Sequence, residues 1–100
     1  MSVVVTGRVD MDPDVFKKIM EERPDDFLAV MKESKTRGAI HHQFLLGEGA
    51  LWLLDEWDTA EHFQEFFANQ PIIADLMSAA GVTTRPEFHI HEVLPSPDRF

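Results

Sequence analysis

Cysteine is absent from this 100-residue sequence, which excludes disulfides, thiolate nucleophiles and thiolate metal sites. Basic residues are scarce: 9 Lys and Arg stand against 18 Asp and Glu, for a net charge of -9. No Lys/Arg cluster offsets that balance locally. Phosphate backbones and anionic membranes would repel such a chain, so neither nucleic acid nor a membrane is expected as a partner. Long apolar runs are also missing, and none reaches membrane-spanning length. The N-terminal MSVVVTGRVD has no basic n-region and only a short apolar stretch, unlike a signal peptide. A cytoplasmic protein is the expectation. There is no short-period repeat and no low-complexity segment.

What is present suits one folded domain spanning residues 1–100, with a single core of modest size. Eight Phe and two Trp supply its large apolar surfaces, most of them expected to be buried. The stretch that organises the chain is Ala39–Phe67, AIHHQFLLGEGALWLLDEWDTAEHFQEFF. Two apolar runs, Ala39–Leu46 and Ala50–Trp57, flank Gly47-Glu48-Gly49 and read as a hairpin. With a three-residue turn, Phe44 faces Trp52, His42 faces Leu54 and His41 faces Asp55; a one-residue change in the turn would re-pair them all. From Asp58 the pattern becomes helical, with Phe63, Phe66 and Phe67 on one stripe, Asp58 as cap and Glu61 completing a capping box.

Before the hairpin, Ser2–Val9 is a strand rich in β-branched residues, and Gly7 within it marks a bulge or a close approach to the backbone. Asp12-Pro13-Asp14 opens a helix. Pro24 interrupts its apolar stripe, leaving two short helices or one kinked helix over Pro13–Lys35, ending near Gly38. After Asn69-Gln70-Pro71 a further helical piece runs to Gly81. Glu87–Leu94 is the last strand, and residues 95–100 form an irregular tail. The order β-α-β-β-α-β, with right-handed crossovers, predicts an α+β, ferredoxin-like fold: a four-stranded antiparallel sheet with helices on one face. The hairpin reads as apolar on both faces, with Ile40, Phe44, Leu46, Trp52 and Leu54 on one and Leu45, Leu51, Leu53 and Trp57 on the other. A sheet covered on one side should be polar on the other, so the second face is expected to meet another copy in a homodimer.

The layout, the segment Glu56-Trp57-Asp58-Thr59-Ala60-Glu61-His62-Phe63 and the later Pro71…Ala80-Gly81 helix resemble the dimeric α/β-barrel superfamily. Within it they are similar to the antibiotic-biosynthesis monooxygenase domains, which commonly show a strand ending in an acidic residue and Trp, then a Ser/Thr-led helix. The resemblance covers nearly the whole chain. It implies a dimeric α/β barrel and cofactor-independent oxidation of a small aromatic, quinol or polyketide-like compound. The alternatives are a non-enzymatic small-molecule-binding or stress-related dimer, and a haem binder. The haem-degrading branch uses an Asn, a Trp and a His whose counterparts here are Gly7, Phe66 and Leu76. All three functional side chains are missing, so haem degradation is not expected, and no cofactor is.

Such an oxygenase needs a closed apolar pocket, an orienting polar group and a base. The candidate base is His42, in a cavity of several hundred Å³ bounded by Gly7, His42, Trp52 and Phe66. Phe63, Phe66 and Phe67 are the candidate pocket wall, opposite the room left by Gly7. They also suit a plain core. His41 is expected to pair with Asp55 across the hairpin. His89 and His91, two apart on the last strand, share a face and are candidates for lining a cavity between subunits. Two imidazoles at that spacing suit a metal, but no third ligand is evident, and no metal is expected. Arg8 either binds an acidic substrate group or pairs with a nearby acid. The acidic stretches Asp10–Asp14, Glu21–Asp26 and Glu61–Glu65 read as solvated surface.

Overall fold

The computed structural model describes residues 2–100. The first strand, β1, is Val3–Asp10. Helix α1, Pro13–Glu22, follows; the Asp12 carboxylate caps it by accepting from the Asp14 backbone N–H at 2.9 Å. Pro24 has no N–H to continue the α1 ladder, so the chain restarts as a second helix, α2, Pro24–Arg37. Helix α2 ends at Gly38, whose φ of 118° is a conformation that side chains resist. Strands β2 (Ala39–Gly47) and β3 (Ala50–Trp57) form the hairpin. Helices α3 (Ala60–Asn69) and α4 (Pro71–Ala79) are divided by Pro71 as α1 and α2 are by Pro24. Strand β4 is Glu87–Glu92, two residues shorter than expected. The cap of α3 differs from the expectation. Oγ1 of Thr59 accepts from the His62 N–H at 3.1 Å, and Asp58 instead accepts from the Thr59 N–H and the His62 ring.

All strand pairs are antiparallel, in the order β2-β3-β1-β4, with the helices on one face: the ferredoxin-like arrangement. Among the described residues no helix is long and apolar enough to cross a membrane.

The hairpin register corrects the expectation. Gly47 pairs with Ala50, so the turn holds only Glu48 and Gly49. Losing one turn residue slides every pair: His42 meets Asp55, Phe44 meets Leu53, Leu45 meets Trp52 and His41 meets Glu56. A bulge at Ile40 then restores the original offset, so that Ala39 meets Trp57. The helix-facing rows therefore carry Ala39, His42, Phe44 and Leu46 on β2, and Leu51, Leu53, Asp55 and Trp57 on β3. The uncovered face is mixed rather than apolar throughout. Leu45, Trp52, Leu54 and Val4 lie across its middle, surrounded by His41, Gln43, Glu56, Thr6, Arg8, Glu87, His89 and His91.

Among the described residues the core between sheet and helices is two clusters. Val5, Trp57 and Phe63 form the first, joined by Phe66, Phe67 and Phe88. Val9, Phe16 and Leu51 form the second, joined by Met11, Met20, Phe27 and Val82.

Candidate functional site

Both clusters contribute to the lining of a cavity of about 180 Å³ between sheet and helices. Its walls include Phe16, Phe27, Leu51, Leu53, Trp57, Phe63, Phe66, Phe67, Leu76, Met77 and Phe88; Ser34, His42 and Asp55 are its polar lining residues. The Ser34 hydroxyl is already engaged, donating to the Met31 carbonyl at 2.7 Å. Met31, His42 and Phe44 are the exposed members of the lining, which puts the opening between α2 and the edge strand β2. The volume is smaller than the several hundred Å³ expected. It is of the order of a site for one aromatic ring, since a cavity of about 150 Å³ holds benzene.

Two placements differ from the expectation. The space beside Gly7 is taken by Phe88: a Cβ on residue 7 would lie 2.6 Å from that ring. Trp52 turns to the uncovered face, where the Arg8 guanidinium lies 5.8 Å from its ring centroid. Neither Gly7 nor Trp52 lines the cavity, whereas Phe63, Phe66 and Phe67 do.

The polar element is a carboxylate–imidazole pair. Nδ1 of His42 lies 2.6 Å from Oδ1 of Asp55, and the Trp57 indole N–H donates to Oδ2 of Asp55 at 3.2 Å. Asp55 is 8% exposed, and the two donors meet the requirement that a buried carboxylate be hydrogen-bonded. A carboxylate only accepts, so Nδ1 carries a proton and neutral His42 keeps its free lone pair on Nε2. Phe44 meets the imidazole edge-to-face at 4.5 Å between centroids and restricts its rotation. The His42 side chain is 44% exposed, so a proton taken there has a route to water.

The other candidates lie elsewhere. His89 and His91 are on the uncovered face, their rings 6.4 Å apart. His91 Nε2 is 2.9 Å from Thr6 Oγ1, and His89 Nε2 is 3.4 Å from Glu87. Among the described residues no group of three or more His, Asp or Glu side chains is placed to hold a metal ion. Arg8 pairs with Asp10 at 2.9 Å, on the same uncovered side. A larger and open groove, about 700 Å³, runs beside the C-terminal end of α2, where Asp58 and His62 pair at 2.8 Å. The hydrogen bond between them holds the Asp58 carboxyl below its ordinary range and raises the His62 imidazole above its own. Its walls mix Lys35, Arg37 and His62 with Glu33, Asp58 and Glu65, with no one charge sign converging.

Asp55 is the residue that sequence reasoning gave to the wrong imidazole. A signal for its burial is present. It falls in the alternating row Leu51-Leu53-Asp55-Trp57, where a lone acid among large apolar residues implies buried donors.

No protein-family model matches the sequence, and no curated protein does. Solved structures do match in shape. SnoaB, a cofactor-independent oxygenase from Streptomyces nogalater, superposes with a TM-score of 0.63 at 13% identity, over 98% of each chain. An antibiotic biosynthesis monooxygenase gives 0.64 at 8% identity, over 93% of this chain and 99% of its own. A dimeric ferredoxin-like protein from an uncultured marine organism gives 0.64 at 13% identity, over 99% and 93%. At such identities the likeness establishes the fold that this chain shares with them.

Proposed function

We propose that the protein is a cofactor-independent monooxygenase of small phenols or hydroquinones, with His42 as its base. The observation that carries this reading is the His42–Asp55 pair set in the wall of a largely apolar cavity. Neutral His42 takes a proton from a substrate hydroxyl at Nε2, and Asp55 stabilises the imidazolium that results. The anion left behind is electron-rich enough to reduce oxygen, and the apolar walls keep water from the reactive species. For a hydroquinone the balance is one hydroquinone plus O₂ giving one hydroxyquinone plus water. The ring loses four electrons, one oxygen atom enters the product and the other leaves as water. The shape shared with a cofactor-independent oxygenase supports the same reading.

The test is oxygen consumption by the protein with hydroquinones in chelator-treated buffer, with mass analysis of the product. Expected is a product heavier by one oxygen and lighter by two hydrogens, with His42→Ala slowing uptake by roughly 10²-fold or more. Uptake that His42→Ala leaves unchanged would overturn the assignment. The small cavity favours a second reading, a non-enzymatic binder, for which the phenol binds and no oxygen is consumed. A porphyrin is far larger than a space sized for one ring, which argues against haem in this cavity.

The reading includes a single functional domain, a cytoplasmic setting and a homodimer. Leu45, Trp52 and Leu54 on the uncovered face support the homodimer, as apolar residues that pairing would bury within a polar rim. So does the shape shared with a dimeric ferredoxin-like protein.

A further inference from the structure

We infer that the His42 cavity selects an uncharged phenol with a single ring and admits it in the neutral form, a deepening that rests on the function proposed above. Size sets the first limit. About 180 Å³ is enough for one substituted ring and leaves no room for a second fused to it. The limit is built in by Phe88, which occupies the place beside Gly7 where a longer ligand would extend.

Charge sets the second limit. No Lys or Arg lines the cavity. A ligand carboxylate would lose its water there, gain no permanent counter-ion and face the Asp55 carboxylate already in the wall. The chain's net charge of -9 opposes its approach as well. A neutral hydroxyl meets none of these costs, because Nε2 of His42 accepts its hydrogen bond.

Orientation follows from where the polar groups lie. His42 stands at the opening; Asp55, the buried polar residue of the lining, already has its oxygens engaged by His42 and Trp57, and the buried Leu51, Phe63 and Leu76 are apolar. The ring therefore enters first, with its hydroxyl left at the mouth beside His42. Selection by size and charge is thus separate from the oxidation itself, and a ligand that cannot react still reports it.

The probes are 4-methylphenol, 4-hydroxybenzoate and 1-naphthol, titrated against the full chain at neutral pH and followed by the two indole N–H signals in nitrogen-edited NMR. Expected is binding of 4-methylphenol on the order of tenfold tighter than either other probe. It should shift the Trp57 indole signal, whose N–H is held by Asp55, and leave that of Trp52 on the opposite face in place. Met77→Ala, which enlarges the cavity, should tighten 1-naphthol on the order of tenfold and leave 4-hydroxybenzoate weak. The inference is overturned if 4-hydroxybenzoate or 1-naphthol binds the unaltered protein as tightly as 4-methylphenol, or if the Trp52 signal moves instead. Selective 4-methylphenol binding with no oxygen uptake on hydroquinones would support this inference while overturning the oxygenase reading. Oxygen uptake on bicyclic or acidic phenols would do the reverse.

Discussion

The ring of Phe88 occupies the volume that any side chain at residue 7 would need: a Cβ on Gly7 would stand 2.6 Å from Cδ1 and 2.7 Å from Cε1. These two residues are paired across β1 and β4, and Phe88 packs in turn on Phe63 and Phe67. Gly7→Ala should therefore destabilise by about 1–3 kcal/mol through overpacking. Urea unfolding checks this. Adding Phe88→Leu, whose smaller side chain yields space, should recover part of the loss; additive losses would show that the two positions do not compete.

Gly38 has a second constraint. Its φ is 118°, and an added Cβ would run into Oδ1 of Asp58, whose backbone N–H donates to the Gly38 carbonyl at 2.9 Å. Gly38→Ala should cost about 1–2 kcal/mol from backbone strain alone, with displacement of Asp58 added to that. Asp58→Ala in the same chain removes the collision but not the strain, so the two changes should be clearly non-additive by thermal unfolding.

The Asp58–His62 pair gives stability a pH dependence. Bonded to Asp58, His62 is raised from its ordinary 6.5, so its contribution is full below that value and fades as pH rises through the folded value. Bonded to His62, Asp58 is lowered from 3.8, so its contribution is present above 3.8 and fades as pH falls through the folded value. The difference in urea midpoint between the unaltered protein and His62→Gln should thus be largest between those two values and shrink towards alkaline pH. A pH-independent difference would place the effect of the substitution outside this ion pair.

Asp55→Asn tests the pairing in the cavity wall. An amide that keeps its oxygen on the Trp57 N–H turns its NH₂ towards His42 Nδ1, moving the ring proton to Nε2 and removing the proposed base. The proposed oxygen uptake on hydroquinones should fall by roughly 10²-fold or more, while 4-methylphenol still binds. Asp55→Ala strands the Trp57 N–H instead, and should lower stability by about 1–3 kcal/mol.

Trp52→Asp places a charge in the middle of the uncovered sheet face. Sedimentation should show a homodimer for the unaltered chain and a monomer for the variant, with far-UV circular dichroism unchanged. A variant that remains dimeric would move the interface elsewhere.

Local chemistry in the sequence was enough for the element order and for the sheet with its helices on one side. Proline at 24 and 71, alternating apolar residues in Ala50–Trp57, and the glycines around the turn each act within a few residues of themselves, so their consequences can be read along the chain. The same alternation placed Leu51, Leu53, Asp55 and Trp57 in one row. What the sequence left open was decided by pairing across the sheet. Whether the turn holds two residues or three determines whether His41 or His42 meets Asp55, and the bulge at Ile40 changes the offset again within the same strand. Period-2 patterning is blind to such a one-residue slip when both candidate faces carry apolar side chains. The cavity itself depended on Phe88, 81 positions away from Gly7, filling a space that the glycine alone would leave open. Packing of that range is a property of the closed sheet and its helices, and only the tertiary structure settles how much room remains for a ligand.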